Sequence, residues 1–110
     1  MPLGRSEKAA LELLTDGLKK RFGDDLIQVL LFGSKARADD NPSSDVDVLV
    51  VLRNQPEGQE RTAVSDIVYD VLETHGVFIQ TVVLSQTQFE HPTGQLRWLT
   101  AFVHEEGIIL

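Results

Sequence analysis

Residues 30–51 read LLFGSKARADDNPSSDVDVLVV. An apolar run ends at Gly33-Ser34, a polar loop follows, and a second apolar run opens with Asp45 and Asp47. On a strand, side chains two residues apart share a face, roughly 7 Å apart along the chain. Two carboxylates placed that way can converge on one hard cation. A glycine-serine turn just upstream can offer backbone N–H groups to a phosphate. Val46 and Val48 alternate with the aspartates and are expected to point the other way, into a core. Together these features predict a metal-nucleotide site.

The rest of the chain bounds what such a site can serve. With 110 residues, 42% of them hydrophobic, it fits one domain with a real core. The net charge of -7 argues against the phosphate grip of a nucleic-acid binder, whereas a metal-bound nucleotide or a basic protein partner stays compatible. No cysteine is present, which excludes a disulfide scaffold and a thiolate zinc site. The opening MPLGRSEKAALELL has no long apolar stretch of the signal-peptide kind. No apolar run approaches the roughly 20 residues that span a bilayer. A cytoplasmic protein is the expectation.

Outward from the motif, apolar spacing predicts a helix from Ser6 to about Phe22, with Ala10, Leu11, Leu14 and Leu18 inward, Ser6 as N-cap and Gly23 as the stop. Leu26–Phe32 and Val46–Leu52 read as strands. The loop of about a dozen residues between them is long for a hairpin, as functional loops often are. A second amphipathic helix is predicted over Thr62–Thr74, ended by Gly76 at the C′ position. Val77–Leu84 reads as a third strand. Ser85 and Gln88 have the spacing of a capping box for a short helical turn. A last helix is predicted from Pro92 to about Glu105, with Leu96, Leu99, Phe102 and Val103 inward. Ile108-Ile109-Leu110 reads as an apolar tail docked on the core. The order α-β-β-α-β-α predicts a single α/β domain (residues 1–110) built on a mixed sheet, with helices mainly on the face opposite the aspartates.

An Asp-x-Asp pair alone is usually just solvated, and Gly-Ser after a strand is usually just a turn. In order and at this spacing they gain meaning. Ser34 and Ser44 can donate to phosphate oxygens, and Lys35 and Arg37 can neutralise phosphate charge. The stretch LFGSKARADDNPSSDVDVLVV resembles the signature of the minimal nucleotidyltransferases of the DNA polymerase β superfamily. That signature is an apolar strand, Gly-Ser, x-Ala-Arg, a short loop, Ser-Asp-x-Asp and a second apolar strand. The element order fits the same family, and the closing Glu-Glu-Gly-Ile-Ile-Leu resembles its usual C-terminus.

The resemblance implies a nucleotidyltransferase fold, ATP or another NTP as substrate, two Mg2+ ions and transfer of an NMP group. By motif match, Gly33 and Ser34 would hold the triphosphate, Asp45 and Asp47 the metals, and Arg37 would occupy the family's arginine position. Ala38 stands where a glycine often follows. Active members also carry a third carboxylate on the next core strand, and aligning GVFIQTVVLS to that strand puts Gln80 there. Glutamine can coordinate through its carbonyl oxygen, but it has no charge and cannot act as a base near neutral pH. Neither Glu73, in the preceding helix, nor Glu90, ten residues on, replaces it.

Family members are often encoded beside HEPN-domain proteins and act on them as antitoxins, in some cases by adenylylation. Three functions follow as expectations. The first is Mg-NTP-dependent adenylyl transfer to a HEPN-type protein partner. The second is a catalytically impaired module acting by complex formation. The third is small-molecule nucleotidylation, for which 110 residues leave little room. A homo-oligomer remains open. The other chemistry-bearing residues read as structural. His75 suits a helix end, His91 a surface loop and His104 a last helical turn, while Trp98 and Phe102 suit core packing. Asp39-Asp40 reads as solvated loop, and Lys19-Lys20-Arg21 as compensation of a helix dipole.

Overall fold

The fold is seen in a computed structural model that describes residues 5–33 and 46–110. Helix α1 spans Arg5–Phe22, with Ala10, Leu11, Leu14, Leu18 and Phe22 buried, the stripe that the spacing demands. It starts at Arg5, so Ser6 lies inside its first turn and is not the N-cap. A single 3-10 turn, Gly23–Asp25, leads into β1, Leu26–Phe32. Strand β2 is Val46–Leu52. Helix α2 runs Gly58–His75, four residues longer at its start than its apolar stripe predicts. The start is fixed locally: the Glu60 carboxylate reaches back to accept the Glu57 N–H at 3.4 Å.

The end of α2 is set by Gly76, left-handed at φ 70°, whose N–H donates to the Leu72 carbonyl at 2.8 Å. Strand β3, Ile79–Ser85, follows. Ser85 then caps the five-residue α3, Gln86–Glu90: its Oγ accepts the Gln88 N–H at 3.1 Å and its own N–H donates to Gln88 Oε1 at 3.0 Å. Helix α4, Leu96–Glu106, begins four residues later than predicted, because Gly94, at φ 57°, and Gln95 form a turn just ahead of it. The apolar tail is a strand: β4, Ile108–Ile109, pairs with β1.

The sheet order is β3-β2-β1-β4. Strands β1 and β2 are antiparallel, and β2 and β3 run parallel in unbroken register from Val46↔Ile79 to Leu52↔Ser85. A parallel pair needs a crossover, and α2 is that crossover. Alternation splits the core between the two faces of the sheet. On one face Val46, Val48, Val50 and Leu52 pack with the inward sides of α1 and α2. On the other, Leu49 and Val51 pack with Leu30, Leu84, Phe89 and Val103, so α3 and α4 cover that side. Helices therefore flank the sheet on both faces, and the aspartate-bearing face is roofed over its inner part rather than left mainly bare. The mixed single-domain α/β architecture is as the sequence predicts.

Trp98 departs from expectation. Leu96, Leu99 and Val103 turn the core-facing side of α4 inward, and Trp98 falls on the far side with 83% of its surface exposed. Phe102 is half-buried. His104 lies in the last turn of α4, its ring 4.8 Å from that of Phe89. No helix among the described residues is long and apolar enough to cross a membrane.

Candidate active site

The site is built where β1 ends and β2 begins. Asp47 is the second residue of β2, on the same face as Leu49 and Val51 by strand alternation. The register gives it two neighbours: Phe32 across the antiparallel pair, and Gln80 across the parallel pair. In-register residues on adjacent strands share a face at about 4.8 Å between strands. Gln80 and Asp47 thus stand side by side at the open end of the sheet, beyond the roof formed by α3 and α4. Asp47 is half-buried and Gln80 exposed.

Gly33 closes the third side. It follows β1 at φ 81°, a backbone that side-chain-bearing residues rarely adopt. A Cβ at this position would lie 2.5 Å from Asp47 Oδ2. Glycine is therefore favoured twice, once for its conformation and once because a Cβ would push the carboxylate aside. This is the phosphate-turn glycine of the motif, and it touches the residue that the motif assigns to metal.

Ser34, Arg37, Ser44 and Asp45 lie outside the described residues, as do Lys35, Ala38, Asp39 and Asp40. Of the residues singled out from the sequence, the structure brings together Gly33, Asp47 and Gln80. His75, His91 and His104 lie on the ends of other elements. Among the described residues no cluster of three or more His, Cys, Asp or Glu gathers. The donors that the described part of the site can offer are the Asp47 carboxylate and, one strand over, the side-chain amide of Gln80. Hard oxygen donors with a glycine-cleared approach fit magnesium rather than a softer metal.

The motif does not announce a second feature. An open cleft of about 420 Å³ touches Asp47 and Gln80 and runs over the β3 edge, lined also by Ser65, Tyr69, Phe78 and Thr81. Tyr69 is off the inward stripe of α2, which is Val64, Val68 and Val71, and it is 61% exposed. Phe78, just ahead of β3, is 46% exposed. For Tyr69, its place off the helical stripe was the available signal; Phe78 falls inside the strand predicted from Val77, which starts instead at Ile79.

Such a fold, with an acidic strand beside a glycine-cleared turn, defines a nucleotidyl-transfer scaffold. The chain belongs to the nucleotidyltransferase domain family, whose model matches residues 11–97, and within it to the minimal nucleotidyltransferases. It is 38% identical over 68 residues to "Putative protein adenylyltransferase MJ1305" of Methanocaldococcus jannaschii, which covers 60% of this chain and 46% of that protein. The match thus spans under half the length of that relative. With "Putative protein adenylyltransferase MJ0604" of the same organism it shares 29% identity over 106 residues, 96% of this chain and 98% of that one.

Among solved structures, that of a "putative minimal nucleotidyltransferase" superposes with a TM-score of 0.60 at 25% identity, covering 94% of this chain and 90% of the other. A chain from the complex of the tri-AMPylated Shewanella oneidensis HEPN toxin with its MNT antitoxin gives a TM-score of 0.54 at 17% identity, covering 94% and 67%. At that identity the likeness is one of fold.

Proposed function

We propose that the chain transfers an adenylyl group from Mg-ATP to a hydroxyl of a protein partner of the HEPN class, and so acts as an antitoxin. The observation that carries the reading is the Gly33–Asp47 juxtaposition, in which the backbone that would meet the phosphates is shaped around the carboxylate that would meet the metal. The adenylyltransferase names of its relatives and the toxin–antitoxin assembly of a structural neighbour support the choice of group and acceptor.

In this reading Gly33 and Ser34 hold the triphosphate, with Ser44 and Arg37 as further phosphate contacts. Asp45 and Asp47 would hold the two magnesium ions, which when bound supply neutralisation of the phosphate charge. The acceptor oxygen forms a bond to the α-phosphorus as the bond to the outer two phosphates breaks and pyrophosphate departs. The hydroxyl proton passes to solvent, since Gln80 cannot take it.

That last point favours a second reading. Gln80 is in register with Asp47, and on the family resemblance it would stand where active members carry the third acid. The chain would then bind nucleotide and partner with little turnover, and neutralise the partner by complex formation.

One experiment separates the two. Purified protein, magnesium, α-labelled ATP and a HEPN partner are combined, and Mg-ATP binding is followed by calorimetry. Label on the partner that vanishes in Asp47→Asn supports the enzyme. Binding without label in the wild type, and label after Gln80→Asp, supports the second reading. No Mg-ATP binding in any of the three proteins overturns both.

A further inference from the structure

The outer edge of β3 is built to be covered. Among the described residues no strand pairs with it, because β3 ends the sheet. Exposed edges normally carry a guard: a lysine, a proline, a bulge or an inward-pointing charge. Strand β3 has none of them. Its seven residues pair with β2 without a register shift, and the run from Gly76 to Phe89 holds no Asp, Glu, Lys, Arg or Pro, in a chain whose charged share is 25%. The edge is uncharged, regular in its pairing with β2 and long enough to pair again.

The surface flanking that edge is self-complementary. Two adjoining clefts, of about 420 and about 320 Å³, lie between α2 and β3, and Ser65 and Thr81 line both. On one side of this midpoint α2 presents Arg61, and on the other Tyr69, each four residues from Ser65. All three α2 residues are exposed. A two-fold axis through the Ser65–Thr81 line sets Thr81 against its own copy and Arg61 of each chain against Tyr69 of the other. Thr–Thr is a favourable cross-strand pair, and an arginine over a tyrosine ring is an attractive one. The spacing also closes. If strands are about 4.8 Å apart and α2 covers the last two, the two α2 helices come within roughly 10 Å, the ordinary helix-packing distance. Ser65, small and central, permits that approach.

We infer that two copies of this chain associate through antiparallel pairing of their β3 edges, giving one continuous eight-stranded sheet. The occupant is a second copy rather than a foreign strand because the surface repeats its own complement about one point. Neither edge brings a like charge into register, despite the net charge of -7 on each chain. The two-fold axis is normal to the sheet, so both Asp47 sites fall on the same face, roughly 16 Å apart by strand spacing and rise. This inference does not depend on whether the site turns over.

The chain has no native cysteine, which makes the test clean. Across a directly opposed antiparallel pair the Cα atoms are about 4.5–5.5 Å apart, within disulfide reach. Thr81→Cys is therefore expected to cross-link to its own copy under mild oxidation, whereas Glu12→Cys, on the exposed side of α1, does not. By light scattering across a concentration series, the wild type should approach twice the 12.2 kDa chain mass. Thr81→Lys should raise the dimer dissociation constant at least about tenfold by setting like charges opposite one another. Arg61→Glu, exposed and outside the core, should weaken it too and guards against a misfolded edge variant. A wild type that stays monomeric, a dimer indifferent to both variants, or a monomer whose β3 edge pairs only with a strand of another protein overturns the inference.

Discussion

At the scale of single residues, Gly33 is constrained in two ways at once. Alanine there meets two separate obstacles, a backbone at φ 81° and the Asp47 carboxylate. Gly76, at φ 70°, has nothing within 4 Å of where a Cβ would sit. The pair makes a controlled comparison. Gly76→Ala is expected to cost only the left-handed penalty, about 1 kcal/mol in chemical denaturation. Gly33→Ala is expected to cost roughly 1–3 kcal/mol, and in addition to weaken Mg-ATP binding, because the carboxylate must move. Equal losses of stability, with nucleotide affinity intact in both, would separate Gly33 from the site. The nearness of Gly33, Asp47 and Gln80 was legible in the sequence, since a motif fixes residue types and strand period fixes faces. Trp98 was not: its large apolar ring invites a core assignment, while its helical phase, opposite Leu96 and Leu99, puts it in solvent.

At the scale of elements, what the sequence announces is whatever is stabilised locally. Strands β1 and β2 lie at their predicted bounds because each is a dense apolar run cut off by polar residues. The Ser85–Gln88 capping box is also a local device, and both of its hydrogen bonds are present. Ser85 is 5% exposed, so losing its hydroxyl leaves the Gln88 N–H without its acceptor. Ser85→Ala should cost about 1 kcal/mol and speed amide exchange at Gln88, while exchange within α1 stays unchanged. A loss below a few tenths of a kcal/mol would mean that Phe89 packing alone seats α3. Strand β4 was illegible for the complementary reason. A two-residue strand exists only because β1 offers it an edge: Leu30 pairs with Ile109, Leu31 with Ile108, and the Leu110 N–H donates to the Val29 carbonyl at 2.9 Å. The early start of α2 rests on a glutamate pair outside its apolar stripe, which periodicity does not register.

At the scale of the whole molecule, the sheet is a shared wall between two cores, and each strand contributes alternate residues to each. Leu49 is fully buried on the α3–α4 side and Leu14 on the α1 side. Because both cores hang on the same four strands, damage to either should melt both together. Leu49→Ala is expected to destabilise by about 2–5 kcal/mol. In calorimetry that should lower Tm by at least about 8 °C while keeping one cooperative transition. Two separated transitions would show the cores to be independent. At this scale the sequence revealed the α/β class and the mixed sheet. It did not reveal the second layer of helices, because the apolar residues of α3 and α4 are few and state that they are buried, not against which face.

Parallel pairing of β2 with β3 means that α2 must carry the chain back along the sheet before β3 can begin. The phase in which Gln80 arrives beside Asp47 is then set by which side chains of β3 face each core. A slip of one residue would turn position 80 toward the α1–α2 core and offer Asp47 an isoleucine or a threonine instead. Glutamine and glutamate codons differ by one base. On the proposed reading, the step between an amide and an acid beside Asp47 is therefore a single nucleotide substitution, reversible in either direction.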